Sequence, residues 1–199
     1  MATALVKIGL DVDRVVAVAL DLLDEVGLDG LSTRRLAVEL QVKGPALYHH
    51  FKDKNELLDQ MAASMLKEAL AAMPKTGNWQ NWQNWLRCLG HETRAMILRH
   101  RDGARVLMTS SPTDPVRSRL VPQFSQPLIQ AGFTTPEARE AASLMSCFVI
   151  GWTLNEQNPA TQELMRASYD LEQAFTNSVE VIVAGLDLRR RASHGETSD

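Results

Sequence analysis

Cysteine is nearly absent from the chain: Cys88 and Cys147 are the only two in 199 residues. They lie far apart in apolar helical contexts, so they form neither a disulfide frame nor a zinc site and read as reduced packing residues. Long hydrophobic runs are missing as well. No apolar stretch approaches the roughly 20 residues that span a bilayer. The opening segment, Met1 to Arg14, has only a short apolar part, interrupted by Lys7 and followed by acids, unlike a secretory leader. A cytoplasmic protein with no membrane partner is expected. Positive charge is not in excess either: 21 Lys and Arg stand against 24 Asp and Glu, a net charge of −3. That balance argues against a nonspecific nucleic-acid coat and leaves room for a local basic face.

The signatures of catalysis are missing too. There is no G-x-S-x-G, no P-loop, no H-E-x-x-H and no Gly-rich dinucleotide turn. His91-Glu92 and His100-Arg101-Asp102 read as charged groups on a helix and at its end. His49 and His50 are adjacent, and neighbours on a helix splay by about 100°, so they do not chelate one ion together. A helical metal pair uses i and i+4 instead. The expectation is a non-enzyme with no catalytic residue, no cofactor and no metal. No strand is convincing, and the Trp79, Trp82, Trp85 repeat has too short a period for a repeat architecture.

What is present is helical periodicity almost throughout. Val12, Val15, Val16, Ala19, Leu22, Leu23 and Val26 recur at helical spacing over 11–26, with Gly27 placed to stop that helix. Ser32 and Thr33 offer caps for a short helix over 32–40. Gly44-Pro45 opens another over 44–50, with proline in the first turn, where its missing N–H costs nothing. Asp53 caps a longer helix carrying Leu57, Leu58, Met61, Met65 and Leu66. Two short helices separated by a three-residue turn, with a third to support them, match a helix-turn-helix. Leu47 and Phe51, four apart, point inward and leave Ala46, Tyr48, His49 and His50 largely outward. From Gly30 to Lys54 five bases (Arg34, Arg35, Lys43, Lys52, Lys54) meet two acids (Glu39, Asp53), a local positive excess in an acidic chain. Such bases, with Ser/Thr hydroxyls and helix N-terminal amides, hold phosphates.

Pro74-Lys75-Thr76-Gly77 breaks the composition and marks a seam. Beyond it helices are expected over 79–100, 104–109, 116–130 (kinked by Pro122 and Pro127), 135–156 and 171–188. Asn158-Pro159 is a break. The last helix has a wide apolar stripe of Leu171, Ala174, Phe175, Val179, Ile182, Val183 and Leu186. The fold class is therefore all-α. An N-terminal three-helix helix-turn-helix DNA-binding domain (1–55) precedes a second α-helical domain (56–190), to which the resemblance given below assigns effector binding and dimerisation. The tail (191–199) lacks core-forming residues and is expected to be disordered.

The stretch LSTRRLAVELQVKGPALYHHFKDKNELLD, with its Thr-Arg start, its L-Y-x-H-F run and its Lys-x-Lys, resembles the DNA-binding region of the TetR family of bacterial transcription repressors. The resemblance covers about residues 11–60. It implies that Thr33 and Arg34 contact DNA near the start of the second helix. It further implies that Lys43, Gly44, Pro45 and Ala46 face bases, that Tyr48, His49 and His50 touch phosphate or groove wall, and that Lys54 meets a phosphate. Gln41 stands where the family usually has Gly in the turn, and Gln tolerates a positive φ less well.

A weaker resemblance ties the second domain to the tetracycline-repressor branch, through Trp82-Gln83, Leu98 to Ala104, Ala131-Gly132-Phe133 and Phe148 to Gly151. It implies a homodimer, with the 138–156 and 171–188 helices in a four-helix bundle. A dimer also suits two reading heads on a palindromic operator. The branch's magnesium-tetracycline chemistry is not carried over. Leu107 stands in place of its metal-ligating His, Asn155 in place of a Glu, and Leu89 and Thr93 in place of ring contacts; only Gln123 matches. Met65, Trp85, Leu89, Met96, Leu107, Phe124, Leu128, Phe148 and Trp152 are the candidate apolar lining, with Thr93, Ser110, Gln123 and Asn155 as polar contacts. Met and aromatic side chains suit adaptable pockets, so a largely apolar small-molecule effector is expected. Two functions follow: a ligand-released repressor on double-stranded DNA, or an architectural or protein-partnered DNA-binding regulator without an effector.

Overall fold

A computed structural model describes residues 11–74, 81–111 and 115–193. The described residues form helices and connecting turns, without strand. The head comprises α1 (Val12–Gly30), α2 (Thr33–Glu39) and α3 (Gly44–Leu47). The remainder comprises α4 (Lys54–Ala72), α5 (Trp82–Leu98), α6 (Gly103–Thr109), α7 (Arg117–Gln130), α8 (Thr135–Glu156), α9 (Pro159–Ser168) and α10 (Leu171–Ser193). One continuous core runs from Val15 and Leu23 in α1 through Leu57 and Met61 in α4 to Val179 and Val183 in α10. α4 packs against α1 on one side and against α5, α6 and α7 on the other, so the head and the larger domain share it.

Local chemistry sets the helix starts. The Ser32 hydroxyl accepts from the Arg35 amide at 3.3 Å, and Asp53 from the Glu56 amide at 3.0 Å. Glu56 reaches back to accept from the Lys52 amide at 2.6 Å. α8 begins with a capping box between Thr134 and Glu137, one residue before the expected Thr135, and Pro136 lies in its first turn. Gly27 interrupts α1 instead of ending it. Its φ of 71° breaks the helix, and one further turn follows to Gly30.

Further expectations need correction. Asn158-Pro159 ends α8 and also starts α9: Asn158 accepts from the Ala160 amide at 3.1 Å, and proline occupies the first turn. Only Met165 of α9 is buried, so the helix carried no apolar period to detect. α10 continues to Ser193, so 191–193 are helical and not part of a disordered tail. Arg191 pairs with Asp187 four residues earlier at 2.9 Å, and cations suit a helix C-terminus. Cys147 is exposed and Cys88 half-buried, so neither is a fully packed core residue. Residues 75–80, with Trp79 and part of the composition break, lie outside the described residues, as do 194–199.

Candidate DNA-reading head and effector core

Leu36, Ala37 and Leu40 bury one side of α2, and Leu47 and Phe51 anchor α3 at 3% and 4% exposure. The turn between them is a Schellman motif. The Val42 amide donates to the Ala37 carbonyl at 2.9 Å and the Gln41 amide to Val38 at 3.0 Å, with Gln41 left-handed at φ 55°. Gln therefore adopts the conformation that Gly takes without penalty, as its position in the sequence implied.

α3 is a single turn, shorter than the expected 44–50 helix. Tyr48, His49 and His50 follow it on a turn closed by the His50 and Phe51 amides, both donating to the Leu47 carbonyl. Tyr48 is 57% exposed, His49 is exposed and His50 half-buried beside Phe51. Arg34, Lys43 and Pro45 are exposed, while Thr33, Gly44 and Ala46 are partly so. All of these residues are at least partly exposed. Lys54 departs from the group: its Nζ donates to the Leu28 carbonyl at 3.1 Å, tying the start of α4 to the end of α1.

A polar clamp, which the sequence did not reveal, joins the head to the larger domain. At the α5–α6 corner Asp102 is left-handed (φ 58°), and its Oδ2 accepts from the Leu28 amide at 2.8 Å. Asp24 accepts from the Arg101 amide at 2.8 Å and lies 3.1 Å from His100 Nδ1. Arg105 grips Asp29 through both guanidinium ends, at 3.1 and 2.8 Å. That hydrogen-bonded pairing holds the Asp29 carboxyl below the usual carboxylate range and the Arg105 guanidinium above its ordinary value. On the far side of the corner, Gln157 accepts from the Ala104 amide at 3.0 Å and donates to the Ile97 and His100 carbonyls at 3.2 and 2.7 Å. The clamp thus runs from the end of α8 to the end of α1. The only sequence signal was the Leu98-to-Ala104 motif.

The candidate effector residues divide into an inner and an outer group. Met65 of α4, Trp85, Leu89, Thr93 and Met96 of α5, Leu107 and Ser110 of α6 and its C-terminal cap, and Phe124 and Leu128 of α7 are buried. Trp85 Nε1 donates to the Phe124 carbonyl at 3.0 Å, pinning α7 onto α5. Phe148, Trp152 and Asn155 lie apart from them, on a surface cleft of about 460 Å³ between α8 and α9. Asn155 is exposed and donates to its own helix at Gly151, and Gln123 is exposed and donates to Arg119. These two polar candidates do not converge with the inner group. Glu156, next to Asn155, is held by Arg94 through two hydrogen bonds at 2.9 and 2.8 Å. Arg94 also bonds Glu172 and lies 4.7 Å from the Phe175 ring centroid. The Glu156 hydrogen bonds raise the Arg94 pKa above the ordinary arginine value. Among the described residues no group of three His, Cys, Asp or Glu side chains is arranged to hold a metal ion.

A helix-turn-helix head with an outward basic and aromatic rim, clamped to an all-helical second domain, defines a DNA-binding transcription regulator and not an enzyme. Residues 15–61 match the profile of bacterial regulatory proteins of the tetR family, and residues 73–170 match the tetracyclin repressor-like C-terminal domain. The chain belongs to the TetR family and is a transcriptional repressor with a DNA-binding and a ligand-binding domain. It is 35% identical over 203 residues to the class A tetracycline repressor protein from transposon 1721 of Escherichia coli, covering 91% of this chain and 92% of the relative. A TetR variant of Acinetobacter baumannii AYE, solved with minocycline, superposes with TM-score 0.76 at 33% identity, over 92% of this chain and 99% of the other. BioQ, solved with its double-stranded DNA operator, superposes with TM-score 0.70 at 30% identity, over 89% of this chain and 98% of the other. No helix of the described residues is long and apolar enough to cross a membrane.

Proposed function

We infer that the chain acts as a homodimer on a palindromic operator and leaves it when a small, largely apolar effector binds. The observation carrying this is the head itself: buried Leu47 and Phe51 turn Lys43, Tyr48 and His49 outward together. Thr33, Arg34, Gly44, Pro45, Ala46 and His50 share that rim and complete the proposed contact set. The DNA-bound BioQ structure lends support by likeness. Lys54 serves mainly to orient the head through Leu28.

Exposed apolar faces support the dimer. On α8, Leu144 and Leu154 are 48% and 39% exposed, with Cys147 and Gly151 between them; on α10, Val181 and Leu188 are 72% and 69% exposed, with Gly185 between them. This spacing follows one side of each helix, as a four-helix bundle between two subunits requires. The effector reading rests on the inner group. Met65, Met96 and Leu107 are buried hydrocarbon side chains, and methionine suits adaptable walls. Thr93 and Ser110 are its polar members, while Gln123 and Asn155 would have to leave their own helices to join them. The effector acts by displacing α4, which links the core to both the head and the clamp. That changes the spacing of the two reading heads, since a ligand shifts the equilibrium toward the state it binds better.

The test is enrichment of operators from a random duplex pool with the full chain. Release of the enriched duplex is then measured by anisotropy against a panel of polycyclic aromatic compounds and against magnesium-tetracycline. Release by the aromatic compounds is expected. Release by magnesium-tetracycline alone overturns the apolar effector, and no enriched duplex overturns sequence-specific binding.

A further inference from the structure

A cavity of about 220 Å³ lies where the α7–α8 turn meets the start of α8 and the end of α10. None of the candidate effector residues lines it, and it is far from the clamp. Gln157, which holds the α5–α6 corner, caps the opposite end of the 22-residue α8, about 33 Å away. The apolar members of the lining are Phe133, Ala141, Leu144 and Leu186. The charged members are two of each sign: Glu137 and Glu140, Arg189 and Arg190. Arg190 is held by two contacts. Its Nη2 donates to the Ala131 carbonyl at 2.7 Å, and its guanidinium carbon lies 4.4 Å from the Phe133 ring centroid. Gly132 permits this approach: its φ is +91°, and a Cβ there would come within 3.2 Å of the same Nη2. Glu137 is committed to Thr134, whose amide and hydroxyl donate to its Oε2 at 2.9 and 2.6 Å. Glu140 and Arg189 meet at 3.3 Å, with side chains 60% and 66% exposed. A surface pair of that kind contributes little, so it opens around a ligand at small cost.

We propose that this cavity binds a small zwitterion with an apolar body, of the class of a free aromatic or branched-chain amino acid. The ligand carboxylate joins Arg190 and Arg189, its ammonium joins Glu140, and its side chain packs on Phe133, Leu144 and Leu186. A guanidinium carries five N–H donors in a fixed fork, enough to hold the Ala131 carbonyl and a carboxylate together. The balance of charge selects the ligand. A plain carboxylate would meet two glutamates and a plain amine two arginines, whereas a zwitterion matches both signs. Size agrees. The volume falls short of drug-sized sites, about 300–1,000 Å³, while a cavity of about 150 Å³ already holds a benzene molecule. The site differs from the effector core in place and in chemistry, so the inference depends neither on the operator nor on the effector. Leu144 also belongs to the α8 face assigned above to the second subunit, so the site borders that face and is measured on the assembled protein.

The experiment is isothermal titration of the full-length protein, without DNA, with L-phenylalanine, L-leucine, 3-phenylpropionate and phenethylamine. Saturable binding of L-phenylalanine or L-leucine at one site per chain is expected. The acid and the amine, each lacking one charge of L-phenylalanine, should bind about tenfold more weakly than it does. Glu140→Gln and Arg190→Gln, melted alongside the wild type, assign the contacts. Glu140→Gln should weaken L-phenylalanine by about tenfold and bring it level with 3-phenylpropionate, which has no ammonium to lose. Arg190→Gln should bring L-phenylalanine level with phenethylamine. Glu140 is exposed and its surface pair contributes little, so Glu140→Gln should melt with the wild type, and its result stands even if Arg190→Gln fails to fold. Binding of 3-phenylpropionate as tight as that of L-phenylalanine overturns the zwitterion. Absence of saturable binding by both amino acids overturns the site. Amino-acid binding unaltered by Glu140→Gln places the ligand elsewhere in the protein and overturns the proposal as well.

Discussion

Asp102 accepts a hydrogen bond from the Leu28 amide at 2.8 Å, although 74 positions separate the two residues in the chain. It does so from a left-handed backbone, which Asp and Asn tolerate better than other side chains. Asp102→Ala is expected to lose about 1–3 kcal/mol, because a partly buried amide is left unpaired and a poorer left-handed residue is introduced. Asp102→Asn should lose less, since an amide oxygen still accepts. Urea denaturation of the three proteins checks the order.

Gln41 supplies the second left-handed residue, φ 55°, at the end of α2. The left-handed region costs an L-residue about 1–2 kcal/mol, and glycine gives back about 0.5–1 kcal/mol in unfolded-chain entropy. Gln41→Gly should therefore stabilise the protein by about 0.5–1 kcal/mol, read as a higher urea midpoint with unchanged slope. Gln41 is exposed in the turn and is not among the proposed contact residues, so operator affinity should hold.

The two left-handed residues also show what was legible in the sequence. The Gln41 turn was predictable because every participant lies within six residues. The caps at Ser32 and Asp53, and the inward Leu47 and Phe51, were legible for the same reason. The clamp was not, because Asp24, Leu28 and Asp29 meet Arg101, Asp102 and Arg105 only through the packing of α1 against the α5–α6 corner. α9 is not legible in the sequence because its one buried apolar residue, Met165, makes no period. Among the effector candidates, hydrophobicity identified buried residues such as Leu89 and Met96 without separating core from pocket. Gln123 and Asn155 are polar, yet each is bonded to its own helix.

Tyr48 and His49 project from the head, while their neighbours Leu47 and Phe51 hold the fold. Tyr48→Ala and His49→Ala should each weaken binding to the enriched operator by about tenfold, the worth of one good polar contact to a charged group. Their melting temperatures should match the wild type. Anisotropy titration at fixed salt measures the first and calorimetry the second; unchanged affinity removes the residue from the reading rim.

The Asp29–Arg105 pair sets a pH dependence with a defined sign. Arg105 lowers the folded-state pKa of Asp29, so its contribution is present above the unfolded value of about 3.9 and is lost as pH falls through the lower folded value. The Asp29 side chain is 85% exposed, so the effect is small. The melting-temperature difference between the wild type and Asp29→Asn should be constant from about pH 5 to 7 and shrink below about pH 4. A difference that grows on acidification contradicts the pairing.

Arg94 holds the most buried charge pair among the described residues and connects α5, α8 and α10. Glu156 is 5% exposed and Arg94 9%, and their two parallel hydrogen bonds fix the guanidinium against the Phe175 ring. Removing one member of a buried pair leaves the other charge unpaired, at a cost of about 3–5 kcal/mol. Arg94→Met should therefore destabilise strongly, because Glu156 stays buried without its partner. Replacing both members relieves that charge, and hydrophobic replacement of whole buried pairs is often neutral or stabilising. The double variant Arg94→Met, Glu156→Leu should thus recover most of the loss, even though Glu172 keeps no guanidinium partner there; its side chain is 70% exposed and water can solvate it. Urea titrations of the two single variants and the double variant give the coupling. A double variant no more stable than Arg94→Met would show that stacking of the Arg94 guanidinium on Phe175, and not the charge pair, holds the three helices together.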